Sequence, residues 1–234
     1  MPVEGRKSQK TRKPRRFPPS LAGSCLRYAV MDVLGFGRLI EPDSLSAMQA
    51  GSAQHKRFQN QLLNEYAMAA VEVPLKDEAW GVSGRMDAVL ETERGPWVLE
   101  YKTVAPEKFH TIQTGGPLIN HWAQLQLYLA VGDFVGGSLV VDSRPEGQRV
   151  VFHADPDMDW HAWIRARVAR VQSYQATRKL PEREISLACQ ACDRWQRCFR
   201  TAEERDAAVA LHPEWEPDPA LPAKPRVVAS RDIV

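Results

Sequence analysis

The chain has 234 residues, 44% of them hydrophobic and 26% charged, enough to bury one sizeable core or at most two small ones. No run approaches the roughly 18 apolar residues that cross a bilayer, and the start lacks the apolar core of a signal peptide, so no membrane partner and a cytoplasmic location are expected. Four cysteines in a chain of this length and setting do not read as a disulfide framework, which leaves metal or redox chemistry for them.

Charge is unevenly placed. The formal net charge is +2, yet residues 1–16 hold seven Lys or Arg and one acid, so the rest of the chain is about −4. A basic, proline-containing arm over 1–18 suits sequence-independent phosphate contact, and equally a solubilising terminus.

After the arm, Leu26, Ala29, Val30, Val33 and Leu34 recur at helical spacing, with Cys25 at the start and Gly35 as the stop. Gly51 and Ser52 precede a second helical stretch in which His55, Phe58, Leu62 and Tyr66 share a face and Ser52 is the expected cap. From Val82 to Thr103 the pattern is that of strands, broken by a turn over Thr92 to Pro96, which makes a hairpin. A polar, Gly-rich segment leads to a helix from about Pro117 to Val131, then two short strands, Ser138 to Asp142 and Arg149 to His153. Trp160, Trp163, Ile164, Val168 and Val171 mark an amphipathic helix, a cysteine-rich segment occupies 189–198, and 201–234 reads as a helix followed by a loosely ordered tail.

The hairpin carries the chemistry. Asp87 lies on its first strand, in G-R-M-D-A-V-L-E, and Glu100 and Lys102 on its second, in W-V-L-E-Y-K-T-V. Side chains alternate across a strand, so Glu100 and Lys102 share one face while Tyr101 takes the other. Two carboxylates from neighbouring strands repel unless a cation lies between them, and hard oxygen ligands suit magnesium or manganese. Such an ion lowers the pKa of a bound water and screens a reacting phosphate, while an ammonium stabilises the same developing charge. Singly, Glu-x-Lys on a strand is a solvated pair and Asp at a strand end is a turn residue. Inside an otherwise apolar strand the joint pattern favours a site, because unpaired charges there are costly to bury. Gln124 and Tyr128, four apart, share a helical face with His121, either as ordinary packing with a polar rim or as a surface for a ligand.

Cys189, Cys192 and Cys198 stand in C-Q-A-C-D-R-W-Q-R-C, and the two-residue gap lets the first two sulfurs converge on one ion or cluster. Cys25 is the remaining cysteine, so a four-thiolate site uses all of them and ties the start of the domain to its end. Zinc and iron-sulfur are not separated by spacing.

Taken in order along residues 20–200, G-S-A-Q-H, G-R-M-D-A-V, E-Y-K-T, Q-L-Q-L-Y and the cysteine pattern resemble the RecB-like branch of the PD-(D/E)XK nucleases, which includes CRISPR-associated and phage iron-sulfur exonucleases. Met86 stands where the superfamily name has proline. The resemblance implies a restriction-endonuclease-like α/β domain over 19–200, a mixed central sheet flanked by helices. It implies magnesium or manganese bound by His55, Asp87, Glu100 and the Tyr101 carbonyl, with Lys102 acting on the attacking water and Gln124 and Tyr128 touching DNA. It further implies a four-iron four-sulfur cluster on Cys25, Cys189, Cys192 and Cys198, joining the terminal segments. The expected activity is hydrolysis of single-stranded DNA from its 5′ end in CRISPR adaptation, phage recombination or repair, alongside integration or recombination proteins. The competing readings are a structure-specific endonuclease on the same metal site and a non-catalytic DNA-binding subunit with a zinc knot.

Overall fold

The computed structural model describes residues 15–39, 42–144, 147–223, 229–230 and 232–234; the first fourteen residues of the basic arm therefore lie outside the described residues. Helix α1 (Leu26–Val33) and the long α2 (Pro42–Glu65) precede strands β1 (Ala69–Asp77), β2 (Val82–Thr92) and β3 (Gly95–Val104). Helices α3 (Pro106–Gly115) and α4 (Ile119–Val131) cross over to β4 (Gly136–Ser143) and β5 (Arg149–Ala154), and α5 (Met158–Thr177), α6 (Ala202–Leu211) and the short β6 (Ala229–Ser230) follow. The six strands lie in the order β1-β2-β3-β4-β5-β6, all neighbours antiparallel except β3 and β4. A parallel pair needs a long crossover, and α3 with α4 supplies it.

The two parallel strands are the ones covered on both sides. Every residue of β4 is buried. On one face Val98, Leu139, Val141 and Phe152 pack with Leu125 of α4 and Ile164 and Val168 of α5. On the other, Leu99, Tyr101, Val140 and Val151 pack with Phe58 and Leu62 of α2. Continuous rather than alternating burial is what a doubly covered strand requires. No helix among the described residues is long and apolar enough to cross a membrane.

The hairpin, the helix after Pro117 and the two later strands stand close to where the sequence pattern put them. Four features differ. Strand β1 was not anticipated; it is an edge strand whose Pro74 interrupts the usual strand composition. Helix α2 begins nine residues before Gly51, and Ser52 lies inside it, its hydroxyl donating to the Met48 carbonyl at 3.0 Å instead of capping. The polar segment after β3 is helix α3, opened by Pro106 in its first turn and anchored by buried Phe109 and Ile112. Beyond Leu211 the chain packs on the body: the Trp163 indole donates to the Pro219 carbonyl at 2.8 Å, Trp215 meets Trp163 edge-on, and Ile233 is buried.

One buried ion pair ties these late segments to the early ones. Arg167 of α5 grips the Glu184 carboxylate through two hydrogen bonds, 2.8 and 2.9 Å, and also donates to the Ser24 carbonyl at 2.8 Å. Glu184 in turn accepts from the Leu26 amide at 2.7 Å and the Trp215 indole at 3.2 Å. The guanidinium lies over both the Trp163 and the Trp215 ring. Burial pushes Glu184 up, but Arg167 more than offsets it and holds the carboxyl below its usual range.

Candidate active site

Alternation along β3 turns Glu100 and Lys102 toward α4 and Tyr101 toward α2. Glu100 is fully buried, and its Oε1 lies 2.5 Å from Lys102 Nζ. Lys102 also donates to Gln124 Oε1 at 3.2 Å; Gln124 donates to the Tyr128 hydroxyl at 2.7 Å, and Tyr128 donates to the Arg85 carbonyl at 3.0 Å. Residues four apart on α4 thus form a relay that fixes the ammonium. Both Gln124 and Tyr128 are buried and engaged by protein groups. As placed they hold the Lys102 ammonium in position.

Asp87 on β2 accepts a hydrogen bond from the Tyr101 amide at 2.7 Å. His55, reaching in from α2, sets Nε2 at 2.9 Å from the Tyr101 carbonyl oxygen and 3.5 Å from Asp87 Oδ2. The helix comes this close at Gly51, where a Cβ would sit 3.2 Å from Thr103 Oγ1. Burial, and next the Glu100 charge, push the Asp87 carboxyl up to about 8, against the Tyr101 hydrogen bond and Lys102. For Lys102 burial lowers the pKa, but Glu100 outweighs it and holds the ammonium above its usual range. The Tyr128 phenol is raised well above its usual range by burial and then by Glu100.

This donor set suits a hard divalent cation. The Asp87 carboxylate, the Tyr101 carbonyl and the His55 imidazole approach one another, and Glu100 Oε2 is buried with no hydrogen-bond donor among the described residues. An orphaned carboxylate oxygen in an apolar surround is costly unless a cation answers it. Among the described residues no three His, Cys, Asp or Glu side chains stand close enough to form a ready-made metal group. His55 and Asp87 meet at a main-chain carbonyl, and Glu100 turns to Lys102.

Two supports of the site were not read from the sequence. Glu72 has a φ of 54°, and the β1–β2 pairing lapses there, opposite Asp87, between Val71↔Ala88 and Val73↔Met86. Its carboxylate accepts from Gln59 of α2 at 2.6 Å and Arg85 of β2 at 2.8 Å, joining the elements that carry His55 and Asp87. Strained backbone of this kind clusters beside functional groups. On the far face, the Tyr101 hydroxyl donates to Asp142 Oδ2 at 2.8 Å, Arg149 clasps Asp142 at 2.8 and 2.9 Å, and Phe58 stacks on Tyr101 at 4.2 Å. Phe58 lies three residues after His55, so this brace fixes helix and carbonyl together. A positive φ in an edge strand leaves no compositional mark, whereas Asp142 inside a buried strand was a visible anomaly.

The four cysteines are unpaired as disulfides and line one cavity of about 1070 Å³. Cys25 precedes α1 as its N-cap residue, and Cys189, Cys192 and Cys198 lie on two short helical turns, Leu187–Ala191 and Trp195–Arg197, or just after them. Burial raises all the shifted thiols, Cys25 to about 11, and Cys192 is raised further by Asp193, Cys198 and Cys189. Arg27 opposes this at Cys198.

Residues 26–199 match the family profile of the PD-(D/E)XK nuclease superfamily. The fold is also that of a solved protein designated SSO0001, at 18% identity and a TM-score of 0.54, covering 81% of this chain and 88% of that one. An alkaline exonuclease from Laribacter hongkongensis superposes with a TM-score of 0.55 at 14% identity, covering 71% of this chain and 90% of that one. The same enzyme in complex with dAMP gives 0.54 at 15% identity, over 70% and 90%. No curated protein matches the chain.

Proposed function

Since the chain belongs to the PD-(D/E)XK nuclease superfamily, we propose that it is a metal-dependent DNA exonuclease that hydrolyses single strands, entering from the 5′ end. The observation that carries this reading is Lys102, held between Glu100 and Gln124 beside a buried carboxylate oxygen that no protein donor answers. Asp87, Glu100, His55 and the Tyr101 carbonyl would hold magnesium or manganese, which would supply a polarised water and screen the phosphate. Lys102 then presents a fixed ammonium to the attacked phosphate, where charge grows in the transition state. Asp87 takes its orientation from the Tyr101 amide and His55 from the Tyr101 carbonyl, so one residue of β3 sets both. That an alkaline exonuclease shares the fold favours cutting from an end.

The test is a pair of labelled single strands, one linear and one circular, incubated with manganese and separately with EDTA. Manganese-dependent loss of mononucleotides from the linear strand, with the circle intact, is the expected result. A cut circle makes the enzyme an endonuclease, and no cleavage of either sinks the reading.

The same proposal gives the cysteines a structural four-iron four-sulfur cluster, supported by all four lining one cavity and by the ordered resemblance of the chain to iron-sulfur exonucleases. Protein purified without oxygen should be brown and contain iron, and Cys25→Ser should lose both colour and thermal stability. One zinc and no iron would leave the four-thiolate site but remove the cluster; full metal content in Cys25→Ser would remove the site.

A further inference from the structure

The cavity lined by the cysteines is also lined by Thr103, Lys108 and His121. We propose that Lys108 and His121 form a subsite for a second backbone phosphate of the nucleic-acid strand, next to the phosphate being cut. The inference rests on the nuclease reading above and extends it to how the strand is held.

His121 lies one turn before Gln124 on α4, so it shares the face that positions Lys102. Its Nδ1 is buried with no hydrogen-bond group within reach. Burial, then the charges of Lys102 and Lys108, press its pKa down to about 3, so the ring is a neutral imidazole, one nitrogen a donor and the other an acceptor. Among the described residues Lys108, exposed on α3, has no ion-pair acid, and the first-turn amides of α4 have no side-chain cap. An unanswered buried nitrogen, the Lys108 ammonium and a helix start, all lining this cavity, ask for an anion there. Carboxylates do not fill that role: of the acids lining the cavity, Glu184 is bound to Arg167 and Asp193 pairs with Arg38 at 3.7 Å. Glu100 faces Lys102. The anion that a hydrolysed strand brings within reach of Lys102 is its own neighbouring phosphodiester. A neutral imidazole beside a lysine binds it by one donor and one charge, without competing for the proton of the attacking water.

The test is a methylphosphonate walk along a short single strand, one charge removed at a time. Binding is measured with calcium in place of magnesium for wild type, Lys108→Ala, His121→Ala and His121→Asn, which keeps an amide donor. Each alanine variant should bind about tenfold or more weakly, with partial recovery in His121→Asn. Neutralising one linkage other than the cut one should weaken the wild type and add nothing in the alanine variants. Unchanged affinity in both alanine variants, or equal additive losses at every linkage, overturns the subsite. Lys108 is exposed, so its variant folds whatever becomes of His121. Wild-type cleavage of the natural strand is followed in parallel. If the wild type cuts and the alanine variants bind as it does, only the subsite falls; if it neither binds nor cuts, the nuclease reading falls and takes the subsite with it.

Discussion

Glu100→Gln is expected to lower the rate of strand cleavage by about a hundredfold to a thousandfold, and Asp87→Asn by a similar factor, with the fold intact in both. Each substitution keeps the shape of the side chain but removes a carboxylate, the buried Glu100 or the half-buried Asp87. Asp87 Oδ2 accepts from the Tyr101 amide, and an asparagine oxygen accepts there equally well. The mutual repulsion that helps push Asp87 up to about 8 is removed in either variant. Melting temperature in EDTA should therefore be unchanged or higher than wild type in Asp87→Asn while activity in magnesium collapses; in Glu100→Gln it should fall, because the buried Lys102 ammonium loses its ion-pair partner. Opposite movement of stability and rate at Asp87 marks a group retained for chemistry and not for folding. Single-turnover cleavage and thermal melting on the same preparations check it. Rates within tenfold of wild type in both variants would refute the assigned site.

The parts of this site that were legible in the sequence are those that local periodicity dictates. Val98, Leu99, Glu100, Tyr101 and Lys102 alternate on β3, so the sharing of one face by Glu100 and Lys102 follows from strand geometry. The spacing of His55, Phe58 and Leu62 on α2, and of Gln124 and Tyr128 on α4, follows from a helical period. Periodicity does not say what a face meets. Gln124 and Tyr128 were open between packing and contact with a ligand, and their burial against Lys102 and the Arg85 carbonyl is a tertiary fact. The Tyr101–Asp142 bond joins residues 41 apart, across the parallel β3–β4 pair that α3 and α4 make possible. Half of α2 was missed because Gly51 reads as punctuation. In the fold its missing Cβ lets the helix settle against Thr103. Glu72 could not have been found, since only its backbone conformation sets it apart.

Arg167→Leu is expected to destabilise the protein by about 3–5 kcal/mol, the usual cost of removing one member of a buried, hydrogen-bonded ion pair. Arg167 is 3% exposed and donates to both Glu184 oxygens, the Ser24 carbonyl and the Asp218 carbonyl. Leucine fills part of the space over Trp163 and Trp215 but supplies no donor. Glu184 is then left charged in an apolar surround with only the Leu26 amide and the Trp215 indole to answer it. For a chain of this size each kcal/mol moves the melting temperature by roughly 2–4 °C, so a fall of about 6–20 °C is expected. The double variant Arg167→Leu with Glu184→Gln should be less damaged than the sum of its parts, because the uncompensated charge is gone; a double-mutant cycle reads that coupling directly. The break should also be local. Leu26 follows Cys25 and gives its amide to Glu184, so hydrogen exchange at Leu26 should rise in Arg167→Leu before exchange rises in β3 or β4. A melting temperature within about 2 °C of wild type, the shift of roughly 1 kcal/mol or less, would show that the edge-on tryptophans hold the terminal segments without the ion pair.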